Sequence, residues 1–209
     1  MGSAGTTRDP ALPAALLIGG SAGALGVVRT ILQCLPVTLD LPVIALLHLS
    51  PSPPDTLTGL LARECPLPVK QAEDKEPLAP GTVYVAPPGY HLLIESHRAF
   101  ALSADPPVHY SRPSIDVLFE SARDVYGRDL VAILLSGASV DGAAAMQEIH
   151  AAGAVTIVQT PASADATVMP QAALQLFDPT FLWTPDQMAL QLPALLTGPA
   201  PTLTSRSPA

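Results

Sequence analysis

The sequence has little charge, few aromatic residues and only two cysteines. Charged residues make up 13% of the 209 residues, and aromatic residues make up 4%. The chain has 10 basic and 18 acidic residues, and the basic residues form no run or patch. Nucleic acid is therefore not expected as a partner. Cys34 and Cys65 lack the spacing of a metal site. They are typical of half-buried thiols in a reducing cytosol, so we expect a cytoplasmic protein.

Long hydrophobic runs are also missing. No apolar run approaches the ~20 uninterrupted residues that a membrane-spanning helix needs. The nearest candidate, residues 13–28, is broken by glycines and has no basic flank directly before it, so we expect neither a signal peptide nor membrane insertion. The composition predicts a flexible lead-in at residues 1–12, one domain at 13–197 and a disordered Pro/Ser/Thr tail at 198–209.

Short apolar runs alternate with helical patterns along the chain. Continuous runs of this kind are typical of strands that are covered on both faces. They predict an α/β domain with three layers and a mainly parallel, Rossmann-like doubly wound sheet. Residues 90–102 predict a small antiparallel hairpin appended to the sheet, and residues 185–196 predict a closing helix interrupted at Pro193. The predicted strands are residues 14–20, 42–49, 82–87, 130–136 and 154–159.

Three chemically capable residues follow these apolar runs. Ser21 comes after the first run, His48 ends the second, and Asp141 lies in the loop after the fourth. Ligands of open parallel sheets bind outside the carboxyl ends of the strands, so these side chains are expected at one edge. Asp116 and Glu120 are alternatives to Asp141 as the acid that orients His48.

The glycine-rich stretch around Ser21 allows three interpretations. As a phosphate loop it lacks the Lys of a Walker motif and the spacing of a dinucleotide fingerprint. As a helix N-cap, Ser21 has an ordinary structural role. As a nucleophile, it matches G-x-S-x-G, in which small neighbours let the Ser project from a tight turn and the following helix offers free N–H groups to an oxyanion.

Six sequence blocks together resemble the catalytic domain of chemotaxis protein-glutamate methylesterases, the CheB-like family. The resemblance extends from about residue 14 to about residue 196. It implies a parallel α/β domain that hydrolyses γ-glutamyl methyl esters on chemoreceptor signalling helices, releases methanol and often deamidates receptor glutamines. The blocks are "LLIGGSAGAL", "ALLHLSPS", "VYVAPPGYHLLI", "SRPSIDVLFESA", "LLSGASVDGAAAM" and "TIVQTPASADATVMPQAAL".

The resemblance implies a Ser-His-Asp triad in which Ser21 is the nucleophile, His48 the general base and Asp141 the orienting acid. We expect backbone N–H groups near Ala22, Gly23 and Ala138 to hold the oxyanion. No metal or organic cofactor is expected, since His91, His97, His109 and His150 show no ligand-type spacing. Arg112 is either a substrate-binding guanidinium or a solvated residue before a helix, and Met169-Pro170 either line the site rim or form a strand-to-helix junction.

The sequence departs from the family pattern in two loops. The family's nucleophile loop usually reads G-A-S-T-G-G, whereas this chain has Ala22 and Ala24 in place of the Thr and the last Gly. Its acid loop usually reads T-G-M-G-x-D-G-A, and here Ala138 and Ser139 replace the Met and a Gly. These departures leave one alternative, a catalytically weakened domain that docks on chemosensory proteins. A small-molecule esterase with the same triad is a second alternative, because no spacing rule marks the substrate contacts. The chain begins almost at the first catalytic strand, so we expect a stand-alone esterase without the receiver domain common in the family.

Overall fold

The computed structural model describes residues 12–48 and 56–198. The predicted lead-in and tail lie outside these ranges except for their innermost residues, 12 and 198. Within the described ranges, no helix combines the length and the apolar content needed to cross a bilayer.

The described residues form nine strands and six α-helices. The strands are β1 (Ala15–Gly20), β2 (Val43–Leu47), β3 (Val69–Gln71), β4 (Val83–Val85), β5 (His91–Ile94), β6 (Phe100–Ser103), β7 (Leu130–Leu134), β8 (Val155–Gln159) and β9 (Phe181–Trp183). The helices are α1 (Ala24–Gln33), α2 (Thr56–Ala62), α3 (Ile115–Tyr126), α4 (Ala143–Ala151), α5 (Val168–Leu176) and α6 (Pro185–Thr197).

Seven of the strands form one parallel sheet in the order β3-β4-β2-β1-β7-β8-β9. The chain moves outward from β1 through β2 to β4, and then returns to place β7 on the other side of β1. The helix after β1 and the helix after β7 therefore cover opposite faces of the sheet. Such a reversal leaves a crevice at the carboxyl ends of the two strands, which is where doubly wound sheets bind ligands.

The sheet is buried on both faces, which explains its continuous apolar strands. Alternate residues of β1 enter different cores: Leu17 packs with α3 and α4, whereas Leu16 and Ile18 pack with α1 and α6. All six residues of β1 are buried. The predicted three-layer α/β fold is confirmed.

Two features differ in detail from the sequence predictions. The hairpin of β5 and β6 forms a separate two-stranded sheet, which joins the core through side chains such as Leu92 and Phe100. Helix α6 continues through Pro193 to Thr197. Its buried residues, Met188, Leu192 and Leu196, lie on both sides of the proline, and their packing offsets the hydrogen bond that an internal proline removes.

Sequence patterns did not reveal the edge strands. β3 and β9 have three residues each and are only partly buried. A segment of that length is too short for a period of two to be recognised. Both strands complete the sheet by backbone pairing with an inner neighbour, an interaction that their side chains do not encode.

Helix α3 approaches β1 very closely at Gly19. A Cβ built on Gly19 would lie 2.7 Å from Cγ2 of Ile115 and 3.1 Å from the Phe119 ring. Both neighbours are completely buried, so they cannot swing away into solvent. Gly19 therefore allows the start of α3, and the loop that precedes it, to rest on the end of the first strand.

We predict that Gly19→Ala destabilises the protein by about 1–3 kcal/mol through overpacking against α3. Gly26→Ala is the matched control, because Gly26 lies inside α1 and a Cβ there has no neighbour within 4 Å. Removing a helix-interior glycine should stabilise the fold by about 0.5–1 kcal/mol. Urea denaturation followed by circular dichroism measures both changes, and equal effects at the two sites would contradict this account.

Candidate active site

Ser21 lies on a tight turn between β1 and α1. Its backbone N–H donates to the carbonyl of Ser136, 2.9 Å away, and its own carbonyl accepts from the Ala24 N–H at 3.0 Å. Gly23 has a φ of +79°, and the space where its Cβ would lie is taken by Asp165 and the Ser136 hydroxyl. The hydroxyl of Ser21 has no hydrogen-bond partner among the residues that the structure describes, so no capping role is seen for its side chain.

Three backbone N–H groups, two directly after Ser21 in the chain and one in the loop that follows β7, are available to a ligand. Within the described ranges, those of Ala22, Gly23 and Ala138 make no hydrogen bond. Helix α1 has no side-chain cap and no acidic residue in its own first turn. Its N-terminus therefore presents free donors and the positive end of the helix dipole, which together suit a developing oxyanion.

His48 directly follows β2, and its backbone lies next to the Ser21 turn. Its backbone N–H donates to the Gly20 carbonyl at 3.0 Å, which continues the pairing of the two strands. The ring Nε2 lies 3.0 Å from Oδ2 of Asp141, although the two atoms are not aligned for a straight hydrogen bond. The other nitrogen, Nδ1, lies 3.4 Å from the hydroxyl of Ser111. Serine, histidine and aspartate thus meet at one edge of the sheet, but the hydroxyl in contact with the ring is not that of Ser21.

Asp141 is completely buried and its carboxylate accepts several hydrogen bonds. Oδ1 accepts from the Ser114 hydroxyl at 2.7 Å and the Asp116 N–H at 3.1 Å. Oδ2 accepts from the Ile115 N–H at 2.7 Å and faces His48. These groups belong to the N-terminus of α3, whose free N–H groups and dipole favour a negative charge. The carboxylate is therefore held in one orientation.

Two neighbouring carboxylates have opposite pKa shifts. Burial alone would raise the pKa of Asp141, but the close contact with His48 and the hydrogen bonds from the Asp116 and Ile115 N–H groups outweigh it, so this pKa lies below its ordinary value. Burial raises the pKa of Asp116, and the charge of Asp141 raises it further against the hydrogen bond from the Ala145 N–H. Asp141, which faces His48, is therefore the carboxylate that favours the ionised form.

The alternative acids lie elsewhere. Oδ2 of Asp116 is 3.4 Å from Nε2 of His109 rather than near His48. Glu120 is exposed on α3 and makes no contact with His48 among the described residues. Ligand atoms of His109, Asp116 and Asp141 lie within 4.8 Å of one another, which is close enough to consider a metal ion. The N–H and O–H donors on both oxygens of Asp141 make this group a poor fit for a cation.

The predicted rim residues have structural contacts. Arg112 is exposed, and its guanidinium donates to the carbonyls of Ala104 and Asp105 at 2.8 and 3.1 Å. Met169 and Pro170 are buried at the start of α5. The Met169 side chain lies where a Cβ on Gly137 would be, so it packs beneath the acid loop. A direct contact of these residues with substrate stays a prediction.

Sequence reasoning missed three serines that organise the site. Ser111 contacts His48, and Ser114 contacts Asp141. The Ser136 hydroxyl donates to the Ala22 carbonyl at 2.7 Å and accepts from the Ala166 N–H at 2.9 Å, so it joins the nucleophile loop to the loop before α5. Ser111 and Ser114 lie in the block "SRPSIDVLFESA", in which the sequence points to Arg112, Asp116 and Glu120 as candidates but to neither serine. No spacing rule links that block to the end of β2.

Comparisons with known proteins all point to one protein family. The family described as CheB methylesterase matches residues 16–192. The chain is 38% identical over 175 residues to a Leptospira interrogans protein that is provisionally named protein-glutamate methylesterase/protein-glutamine glutaminase, with 84% of this chain and 91% of that protein covered. A crystal structure of the Thermotoga maritima CheB methylesterase catalytic domain matches with a TM-score of 0.81 at 24% identity, covering 89% of this chain and 98% of that one.

Other relatives are longer than this chain. The protein-glutamate methylesterase/protein-glutamine glutaminase of Pectobacterium atrosepticum is 38% identical over 164 residues, which cover 77% of this chain and 47% of that protein. A second enzyme of the same name from Methanospirillum hungatei is 37% identical over 180 residues, with 86% and 51% covered. The chain therefore spans about half the length of these two relatives.

We predict that Asp141→Asn destabilises the protein by about 2–4 kcal/mol at pH 7, because an amide NH₂ would then face N–H and O–H donors. The pKa of Asp141 is lowered by folding. Its carboxylate therefore stabilises the fold above the ordinary value of ~3.9, and this contribution is lost as the pH falls through the lower folded value. The gap between variant and wild type should narrow below about pH 4, as measured by urea denaturation across the pH range.

Asp116→Asn is the matched control for this experiment. The pKa of Asp116 is raised by folding, so its charge opposes folding above the ordinary value, and an Asn oxygen still accepts from the Ala145 N–H. The loss of stability at pH 7 should be smaller than for Asp141→Asn. A gap between Asp141→Asn and wild type that does not change with pH would contradict the assigned charge.

Proposed function

The chain belongs to the CheB methylesterase family, and we propose that it hydrolyses methyl esters of glutamate side chains on chemoreceptor-type signalling helices, releasing methanol. The observation that carries the proposal is the meeting of three elements at one edge of the sheet. These are the Ser21 turn with its unpaired N–H groups, the ring of His48, and the buried carboxylate of Asp141. No relative's substrate is needed to recognise that arrangement as suited to acyl transfer.

In the proposed reaction, the Ser21 oxygen attacks the ester carbonyl carbon while His48 takes the hydroxyl proton. Since Nε2 faces Asp141, the accepting nitrogen is Nδ1. The N–H groups of Ala22, Gly23 and Ala138 hold the oxyanion of the tetrahedral intermediate. The intermediate collapses to an acyl-enzyme, and His48 returns the proton to the departing methanol. Water then attacks the acyl-enzyme with His48 again as base, and glutamate and Ser21 are released.

Ser21 is a better candidate nucleophile than Ser111, although Ser111 is in contact with the ring. The turn at Ser21 leads into α1, whose N-terminal donors are unpaired within the described ranges. The helix nearest Ser111 is α3, and its first N–H groups already donate to Asp141. An oxyanion formed at Ser111 would therefore lack the donors that supply much of the rate in acyl transfer.

The same constellation supports glutamine deamidation. An amide carbonyl replaces the ester carbonyl, and the proton from His48 goes to ammonia instead of methanol, so no additional residue is required. We propose this second activity because relatives carry the paired name protein-glutamate methylesterase/protein-glutamine glutaminase. We also propose that the enzyme acts in the cytoplasm, where the methylated receptor helices are exposed, and that it takes part in chemosensory adaptation.

The decisive experiment follows methanol release from receptor fragments that carry methyl-labelled glutamates. We predict release by the wild-type protein and a loss of at least about 10³-fold in Ser21→Ala, because that change removes the attacking oxygen. Ser103→Ala is the matched control. It also deletes a partly exposed hydroxyl, but its partner is Asp105, away from the ring of His48. Its rate should equal that of the wild type.

A fluorophosphonate probe with peptide mapping gives an independent result. The proposal expects covalent labelling at Ser21 and none at Ser111. Labelling of Ser21 without methanol release would favour a small-molecule esterase. No labelling and no release would favour a domain that only docks on chemosensory partners. Either outcome would overturn the proposed methylesterase activity.

A further inference from the structure

The ring of His48 has a partner on each nitrogen. Nε2 lies 3.0 Å from Asp141, and Nδ1 lies 3.4 Å from the Ser111 hydroxyl. With the neutral ring's proton on the nitrogen that faces the carboxylate, the lone pair lies on Nδ1. Ser111 therefore contacts the nitrogen that must accept the proton of the nucleophile.

Ser111 is presented by a closed two-residue turn. Val108 and Ser111 exchange backbone hydrogen bonds of 3.1 and 2.8 Å, and the residues between them, His109 and Tyr110, have φ values of +49° and +62°. Left-handed backbone at two residues that are not glycine costs about 1 kcal/mol or more each. The backbone of Ser111 closes the turn, so its hydroxyl is not needed for the local fold.

A second contact anchors this turn to the helices that carry the acid. Nε2 of His109 lies 3.4 Å from Oδ2 of Asp116. Asp116 is buried in the first turn of α3, and its Oδ1 accepts from the Ala145 N–H of α4 at 2.9 Å. The turn is thus fastened to the same helix end that orients Asp141. This contact places the turn beside the first turn of α3, which also holds Asp141.

We propose that Ser111 is a positioning residue, which holds the His48 ring with Nε2 toward Asp141 and Nδ1 toward the nucleophile. A hydroxyl both donates and accepts, so it serves the neutral ring as a donor to Nδ1 and the protonated ring as an acceptor from Nδ1–H. At 3.4 Å the contact is longer than the 2.7–2.8 Å typical of hydroxyl donors, so the lone pair is released readily to the proton of Ser21.

This inference rests on the proposed role of His48 as general base. We expect Ser111→Ala to slow fluorophosphonate labelling of Ser21 by about 3- to 10-fold, the effect of one ordinary hydrogen bond. On the methyl ester, the loss should fall on kcat with KM unchanged, because Ser111 acts through His48 and not on substrate. Ser111→Thr keeps the hydroxyl and should recover most of the rate, and Ser103→Ala should match the wild type.

A spectroscopic measurement keeps this inference separate from the proposed function. Ring ¹⁵N resonances of His48, recorded where the ring is neutral, should show one tautomer protonated on Nε2 in the wild type and in Ser111→Thr. Ser111→Ala should keep that tautomer, because Asp141 still faces Nε2, but its unprotonated Nδ1 should lose a hydrogen bond and resonate downfield of the wild-type position. If the probe labels Ser21 but no methanol appears, the substrate is wrong and the labelling rates still test Ser111. If the probe does not label Ser21, the ¹⁵N spectra still test whether Ser111 contacts Nδ1 of His48.

Two results would overturn the inference. A Ser111→Ala protein with unchanged labelling and an unchanged Nδ1 resonance would show that the hydroxyl does not position the ring. Faster labelling would show that Ser111 competes with Ser21 for Nδ1 and holds the base back.

Discussion

The candidate site depends on the carboxylate of Asp141, which is both a cap for α3 and the partner of His48. Its oxygens accept from Ser114, Ile115 and Asp116 at the start of the helix and face Nε2 of His48. Removing this carboxylate would leave helix donors unpaired and free the ring at the same time. The same side chain therefore caps helix α3 and faces the proposed base, and both sets of contacts lower the pKa of Asp141.

Close packing around that carboxylate explains several small residues of the motifs. The Ile115 side chain lies where a Cβ on Gly19 or on Gly142 would be, at 2.7 and 2.6 Å. Met169 occupies the corresponding space at Gly137. The glycines of these motifs, which resemble a ligand-binding signature, are therefore also required for packing, because side chains of α3 and α5 fill the space beside them at the ends of β1 and β7. The loops of the site are supported from within the core, and the N–H groups of Ala22, Gly23 and Ala138 make no hydrogen bond among the described residues.

Departures from the family's usual loops fall on backbone-donor positions. Ala22 and Ala138 replace residues with larger or polar side chains, yet the N–H group that each would contribute is unpaired among the described residues. A backbone donor does not depend on its own side chain, so these changes leave the proposed oxyanion site intact. Ser139 has a local role instead, since its hydroxyl accepts from the Asp141 N–H at 3.2 Å.

The sequence by itself determined the α/β class and five of the seven parallel strands, and it placed Ser21, His48 and Asp141 at one edge. Buried parallel strands are continuous apolar runs, and their carboxyl ends are adjacent in any doubly wound sheet. Only the tertiary structure decided which ring nitrogen of His48 faces Asp141, that Ser111 contacts the other nitrogen, and that Met169 lies beneath Gly137 of the acid loop. These are contacts across 32 to 93 positions of the chain, made as helices dock, and no local spacing records them.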